Sequence, residues 1–194
     1  MKIVVITAPD FLPGEAEVIV RLLDAGAWRV HVRKPAADAT GTAQLLEALS
    51  AEYRSRVSLH DHHDLASALG VGGVHLNSRN PRPPAGFSGA VSRSCHSIAE
   101  VEEYGGGCDY MFLSPVFDSI SKAGYMSNFS LKEIRESGVS LRNVLALGGV
   151  CPENIGRAVE AGFAGAAVLG YLWGPYESDC DAGALLGRFG RLVR

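Results

Sequence analysis

The stretch KIVVITAPD, residues 2–10, decides between two folds. Its run of isoleucine and valine reads as a strand over about 2–8, apolar enough to be buried on both faces. The strand leads into Ala8-Pro9-Asp10, not into the G-x-G-x-x-G that opens the first crossover of a dinucleotide-binding doubly wound sheet. Seven further strand-like runs lie downstream, at about 28–33, 57–60, 73–77, 90–94, 109–114, 143–148 and 165–169. Helical periodicity fills most of the gaps between them. Residues 14–25 carry Ile19, Leu22 and Leu23 before Gly26, and residues 42–54 carry Leu45, Leu46, Leu49 and Tyr53. Ser97 with Glu100 and Ser130 with Glu133 have capping-box spacing, Pro152 sits where a helix first turn is expected, and a last helix closes the chain over 182–193. The exception is SRNPRPPAGFS, residues 78–88, whose three prolines forbid a regular helix. Eight strands alternating with crossovers predict an α/β fold: a single (β/α)8 TIM barrel with an irregular fourth crossover, one domain spanning 1–194.

The composition is that of an ordinary globular chain, with 47% hydrophobic and 20% charged residues. The net charge of -3 and the scattered basic residues argue against nucleic acid and against an anionic membrane surface as partners. No apolar run approaches the ~20 residues that span a bilayer, and the apolar start is too short for a signal-peptide core. Cys95, Cys108, Cys151 and Cys180 show no C-x-x-C pairing, so free thiols and a cytoplasmic location are expected. A homo-oligomer is compatible with all of this.

In such a barrel the active site gathers where strands end and loops begin. The polar residues at those ends are Arg33 and Lys34, His60 and Asp61, Asn77 and Asn80, Ser94 and His96, the loop 114–122 with Ser119, Ser121 and Lys122, and the glycines Gly148, Gly149 and Gly170. The densest of them is LHDHHD, residues 59–64. His62 and His63 are adjacent and point apart, and the i, i+4 histidine spacing of a zincin helix is absent, which disfavours a transition-metal box. Asp61 is expected on the rim, either holding a hard cation such as Mg2+ or capping the next helix, with His62, His63 and Asp64 in its first turn. LALGGV (145–150) and VLG (168–170) put glycines after the seventh and eighth strands, the usual phosphate slots of these barrels. Ser94 and His96 lack an orienting third partner for a hydrolase triad, and Cys95 is read as a buried, inert thiol.

The motifs taken in order resemble the thiamin phosphate synthase and thiazole tautomerase superfamily. HVRKP (31–35) is similar to Q-L-R-x-K, HDHHDLA (60–66) to N-D-x-x-x-L-A, and GGVHLNSRN (72–80) to D-G-V-H-L-G-Q-x-D. SRSCHS (92–97) resembles G-x-S-x-H-[ST], and CDYMFLSPVFDSISK (108–122) resembles A-D-Y-[IV]-x-x-G-P-[IV]-[FY]-x-T-x-T-K. LALGGVCPENI (145–155) and GAAVLG (165–170) are similar to A-I-G-G-I-x-x-x-N and G-v-A-V-x-S. The resemblance implies a transferase of thiamine biosynthesis. It joins hydroxymethylpyrimidine diphosphate to thiazole phosphate, with Mg2+ assisting release of pyrophosphate. It further implies catalytic roles for Arg33, Lys122 and Ser94, and substrate contacts from His31, Lys34, His60, Asn77, His96, Ser119, Ser121, Gly148, Gly149 and Gly170. The metal positions fall on Asp61 and Asn80.

Several positions depart from the motifs. Asn80 replaces the second metal-binding aspartate, His31 replaces a glutamine, and Pro35 stands at the motif's lysine beside Lys34. Asn77-Ser78 replaces Gly-Gln, and Arg93 replaces a glycine. The changes concentrate on the pyrimidine-diphosphate half of the site. They leave two alternatives: a thiazole tautomerase, with His96 or His31 as acid–base group, or a non-catalytic thiazole-phosphate binding protein.

Overall fold

A computed structural model describes residues 1–118 and 129–193. In chain order its elements are β1 (Lys2–Ile6), α1 (Glu15–Asp24), β2 (Arg29–Val32), α2 (Ala39–Glu47), α3 (Ala51–Arg54), β3 (Val57–Leu59), α4 (Asp64–Leu69), β4 (Gly73–Leu76) and β5 (Ala90–Cys95). Next come α5 (Ile98–Tyr104), β6 (Tyr110–Leu113), α6 (Leu131–Glu136), β7 (Val144–Ala146), α7 (Ile155–Glu160), β8 (Gly165–Val168), α8 (Gly170–Asp179) and α9 (Ala182–Leu192). All eight strands pair in parallel in sequence order, and β1 closes the ring on β8. The chain is therefore the (β/α)8 barrel that the strand count predicts, and the Pro-rich fourth crossover carries no helix.

The strands are buried on both faces, as their apolar runs require. Outward side chains such as Val5, Val30, Val57 and Val168 join the helices in one continuous core. Inside the ring, Val4, Ile6, Tyr110, Phe112, Leu145 and Ala167 form a second, smaller apolar cluster. These come from β1, β6, β7 and β8. The other half of the interior is polar: His31, Ser58, His75 and Ser92, from β2 to β5, are all fully buried.

The helices depart from expectation in identifiable ways. The segment expected over 42–54 is two helices, because α2 starts earlier, capped by Asp38 (Oδ1 to the Gly41 N–H, 2.8 Å), and ends before Ser50 opens α3. Ser130 and Glu133 do form a capping box. At α5, Ser97 caps the Glu100 N–H, but Glu100 reaches back to the His96 N–H (2.6 Å) instead of Ser97. Pro152 lies in the turn ahead of α7 instead of in its first turn. Helix α8 was not expected, since GYLWGPYESD mixes two glycines and Pro175 with no clean period; it is held by the buried side chains of Leu172, Trp173 and Tyr176. Among the described residues no helix is long and apolar enough to cross a membrane. All four cysteines are free.

Lys34, expected to bind substrate at the rim, is instead a structural residue. Its Nζ donates to both carboxylate oxygens of Glu15 (2.6 and 2.8 Å) and to the carbonyls of Ala8 (2.9 Å) and Asp10 (2.7 Å). Both side chains of the pair are 1% exposed. Burial pushes the Glu15 carboxyl up and the Lys34 ammonium down, each opposed by the charge of the other. This pair ties α1 to the end of β2 and the loop after β1. Removing one partner strands a buried charge, so Lys34→Met should cost about 3–5 kcal/mol in urea unfolding. The double change with Glu15→Leu should recover most of that; a single variant as stable as the parent would contradict the structural role.

Candidate active site

The carboxyl ends of the strands open on a cavity of about 530 Å³. Its wall includes Arg33 after β2, His60 after β3, Asn77 and Arg79 after β4, Arg93 and Ser94 on β5, and His96 just beyond. Thus Arg33, His60, Asn77, Ser94 and His96, expected at the rim from sequence, do meet there. The strand register makes this unavoidable, because parallel strands of similar length present their last residues at one level.

The six residues of LHDHHD diverge. His60 turns into the barrel, and His62 takes a left-handed backbone (φ 52°) with its Nε2 2.9 Å from the Ala37 carbonyl. His63 is buried, and Asp64 begins α4. Asp61 does not cap that helix. Its Oδ1 instead accepts Nε (3.0 Å) and Nη2 (2.8 Å) of Arg79. The turn that presents Arg79 is tightly bonded. Asn77 Oδ1 accepts the Arg79 and Asn80 N–H groups (2.9 and 3.0 Å), and the side-chain amides of Asn77 and Asn80 both donate to the His60 carbonyl (2.9 and 3.0 Å).

These bonds bear on Mg2+, for which Asp61 and Asn80 were the expected ligands. The carbonyl of His60 can only accept, so the Asn80 amide is fixed with its NH2 group inward, and that NH2 also lies 3.5 Å from Asp61 Oδ1. Asp61 Oδ2 is buried, and among the described residues it has no partner. A Mg2+ ion takes oxygens at about 2.1 Å. At Asp61 it would stand within a few ångströms of a guanidinium, a repulsion of several kcal/mol even at an effective dielectric of about 20. One carboxylate, already ion-paired, and one amide turned the wrong way do not fit a resident dication.

Below this rim lies a network that sequence reading missed. His31 Nδ1 is 2.9 Å from His60 Nε2, and His31 Nε2 is 2.6 Å from the Tyr110 hydroxyl. His75 bridges Ser92 Oγ (2.9 Å) and Ser94 Oγ (2.8 Å). His31, expected to touch substrate, is fully buried beneath His60 and reaches the cavity only through it. The reason is the strand pleat: residues 31, 58, 60, 75, 92 and 94 alternate onto the inner face, and His31 is one layer further from the mouth than Arg33. The periodicity of the polar residues on β2 to β5 was the available signal.

His31, His60 and His75 each offer a nitrogen, all within 4.8 Å of one another, which raises the question of a metal. The rings of His60 and His75 are stacked, with centroids 4.0 Å apart and planes 21° from parallel. An ion must lie near the plane of each imidazole that binds it, and one ion cannot do so for two stacked rings. Hydrogen bonding is the better account. Burial lowers the proton affinity of all three, aided by His75 and Arg29 at His31, by His75, His31 and Arg33 at His60, and by His63 and Arg93 at His75, where the value falls to about 3. The three are neutral, and His31 and His75 each use one ring nitrogen as donor and the other as acceptor.

The opposite side of the mouth is made by the last two crossovers. Gly148 (φ 94°) and Gly149 (φ 62°) have left-handed backbones, and a side chain at either would run into the 115–118 segment. Their immediate reason is this close approach, sealed by the Phe117 N–H to the Gly148 carbonyl (3.1 Å). Gly170 is the first residue of α8, at the positive end of that helix. His96, exposed, has its Nδ1 3.2 Å from the Ser114 carbonyl. Ser119, Ser121 and Lys122 lie outside the described residues. The other missed residue is Arg79; a cation one position before the absent second aspartate was its signal.

A closed parallel barrel with a polar, cationic mouth at its strand carboxyl ends places the chain in the class of (β/α)8-barrel enzymes. The family model described as thiamine monophosphate synthase matches residues 3–172, and the chain belongs to that family. The thiamine-phosphate synthase of Chromobacterium violaceum is 29% identical over 178 residues, 87% of this chain and 86% of that protein. That of Prochlorococcus marinus is 26% identical over 188 residues; the match takes in 91% of this chain but only 54% of the relative. The crystal structure of thiamine phosphate pyrophosphorylase from Bacteroides thetaiotaomicron is 34% identical, with a TM-score of 0.88 over 100% of this chain and 96% of that one.

The neutral histidines generate a pH dependence. Unfolded imidazoles protonate near 6.5, whereas His75 in the fold resists to about 3. The unfolded state therefore binds more protons across that window, and stability falls as pH drops from about 6.5 towards 3. Each such histidine contributes a slope of up to about 1.4 kcal/mol per pH unit. Urea unfolding midpoints at pH 7.5 and 5 should differ more in the parent than in His75→Gln. Equal pH slopes in the two proteins would show that His75 is not held neutral by the fold.

Proposed function

We propose that the chain is a thiamine-phosphate synthase-type transferase, acting as one barrel domain over 1–194. It joins hydroxymethylpyrimidine diphosphate to thiazole phosphate and releases pyrophosphate. The observation that carries this reading is the meeting of Arg33, Arg79 and Arg93 on one cavity at the mouth of a barrel of this family. Loss of pyrophosphate from the pyrimidine develops negative charge on the leaving group, and guanidinium groups aimed at that charge lower the barrier. The thiazole nitrogen then attacks the pyrimidinyl carbon.

In this reading Ser94, oriented by His75, faces the pyrimidine and its diphosphate. Gly148, Gly149 and the start of α8 at Gly170 receive the thiazole phosphate, using backbone N–H groups and the helix dipole. Lys122, Ser119 and Ser121, which lie outside the described residues, are the positions to which the resemblance gives contacts with the leaving diphosphate. Mg2+ is the cation such synthases generally use. Here Asp61 and Asn80, the positions where the resemblance puts that ion, do not fit it, since one is ion-paired to Arg79 and the other turns its NH2 group inward.

A tautomerase reading draws on one observation, that two histidines, His60 and His96, line the same cavity. Histidine suits proton transfer near neutral pH. The two readings separate by product. With both substrates at saturation, the purified protein should release pyrophosphate and form thiamine phosphate, and Arg33→Ala should reduce kcat/KM at least tenfold. Deuterium exchange into thiazole phosphate without pyrophosphate release would favour the tautomerase. Neither reaction, with calorimetric binding of thiazole phosphate retained, would leave a binding protein.

A further inference from the structure

We propose that in this chain the guanidinium of Arg79 takes the place of the divalent cation, so that an organic diphosphate is held by arginine and not through a bound metal. The identity of the diphosphate rests on the transferase reading; the way the anion is bound does not.

Three independent observations converge. First, the donor set for a dication is incomplete: Asn80 stands where the resemblance places a carboxylate, and its amide is locked by the His60 carbonyl with its NH2 group towards Asp61. Second, one oxygen of the remaining carboxylate, Oδ1, is already engaged by a fixed positive charge. Arg79 uses Nε and Nη2 on Asp61 Oδ1, which orients the guanidinium and, among the described residues, leaves Nη1 to meet an incoming oxygen. The Arg79 side chain is 48% exposed while Asp61 is 14% exposed, so the charge faces the cavity and its counter-ion lies behind it. Third, the same wall carries a cation at the position of a motif glycine. Arg93 is fixed by the Pro81 carbonyl (2.8 Å) and lies over the Tyr104 ring at 4.1 Å. With Arg33, that makes three guanidinium groups on one cavity.

The chemistry is consistent. A dication neutralises a diphosphate by bridging its oxygens. Guanidinium groups do so by paired N–H···O bonds in a planar fork, each holding its charge at any pH the protein tolerates. The loop that supplies Arg79 is pinned at both ends by Asn77 and Asn80, so the fork needs little ordering when the anion arrives.

The test uses inorganic pyrophosphate as the probe, with calorimetry in EDTA and again in excess Mg2+. Pyrophosphate should bind in EDTA with a Kd within about threefold of that in Mg2+. Arg79→Ala should weaken the EDTA measurement tenfold or more. In that variant Asp61 is released, so Mg2+ should restore part of the loss, and further addition of Asn80→Asp should make binding metal-dependent. Arg79→Lys, keeping charge without the fork, should fall between. Binding that disappears in EDTA, or that is indifferent to Arg79→Ala, would overturn the proposal. Turnover assays separate it from the functional reading. Tight metal-free pyrophosphate binding without formation of thiamine phosphate would sustain the guanidinium role and refute the transferase. Turnover only with Mg2+ would do the reverse.

Discussion

Half of the barrel interior is built from polar side chains that no water reaches, so each of their polar atoms must find a partner within the protein. That requirement organises everything above it. Tyr110 answers His31, His31 answers His60, and Ser92 and Ser94 answer His75. Stacking of His60 on His75 and of His75 on Phe112 (centroids 4.8 Å) fills the remaining space. Protonating any ring would bury a charge without a counter-ion among the described residues, which is why burial keeps them neutral. The cavity floor is consequently a rigid platform, with the Ser94 hydroxyl and the His60 edge presented in fixed directions.

The rim above it obeys a different rule, that of charge. Asp61 and Glu100 stand among Arg33, Arg79 and Arg93, and the two carboxylates are used on the protein itself, one for a guanidinium and one for the His96 N–H. Their role is to hold groups in place, while the arginines face the open space. The buried pair of Lys34 and Glu15 shows the contrasting case, in which opposite charges neutralise each other out of reach of any ligand.

The barrel was legible in the sequence because its strands are buried on both faces and therefore announce themselves as short apolar runs of Val, Ile and Leu. The strand ends were legible for the same reason, and with them the placement of Arg33, His60, Asn77, Ser94 and His96 around one mouth. The features that escaped were set by tertiary contacts. Lys34 comes directly after Arg33, but the chain has turned away from the mouth there, and only the fold reveals Glu15 across from it. His31 was given a substrate contact by the resemblance alone, and the pleat puts it a layer below the mouth. Helix α8 has no readable period because its stability comes from Trp173 and Tyr176 packing inward. Asp61 offered two local readings, cap or cation ligand, and a residue eighteen positions away selected a third.

The fourth crossover departs from the pattern of the other described connections by reaching β5 without a helix. Its residues thus contribute little to the outer layer, and the packing of the barrel does not dictate their identity. Arg79 sits there, at the edge of the cavity, on a segment free to exchange one cation strategy for another while the scaffold stays unchanged. A stretch of prolines that first reads as an interruption in a repeating architecture is thereby the place where such a catalyst can most easily be re-tuned.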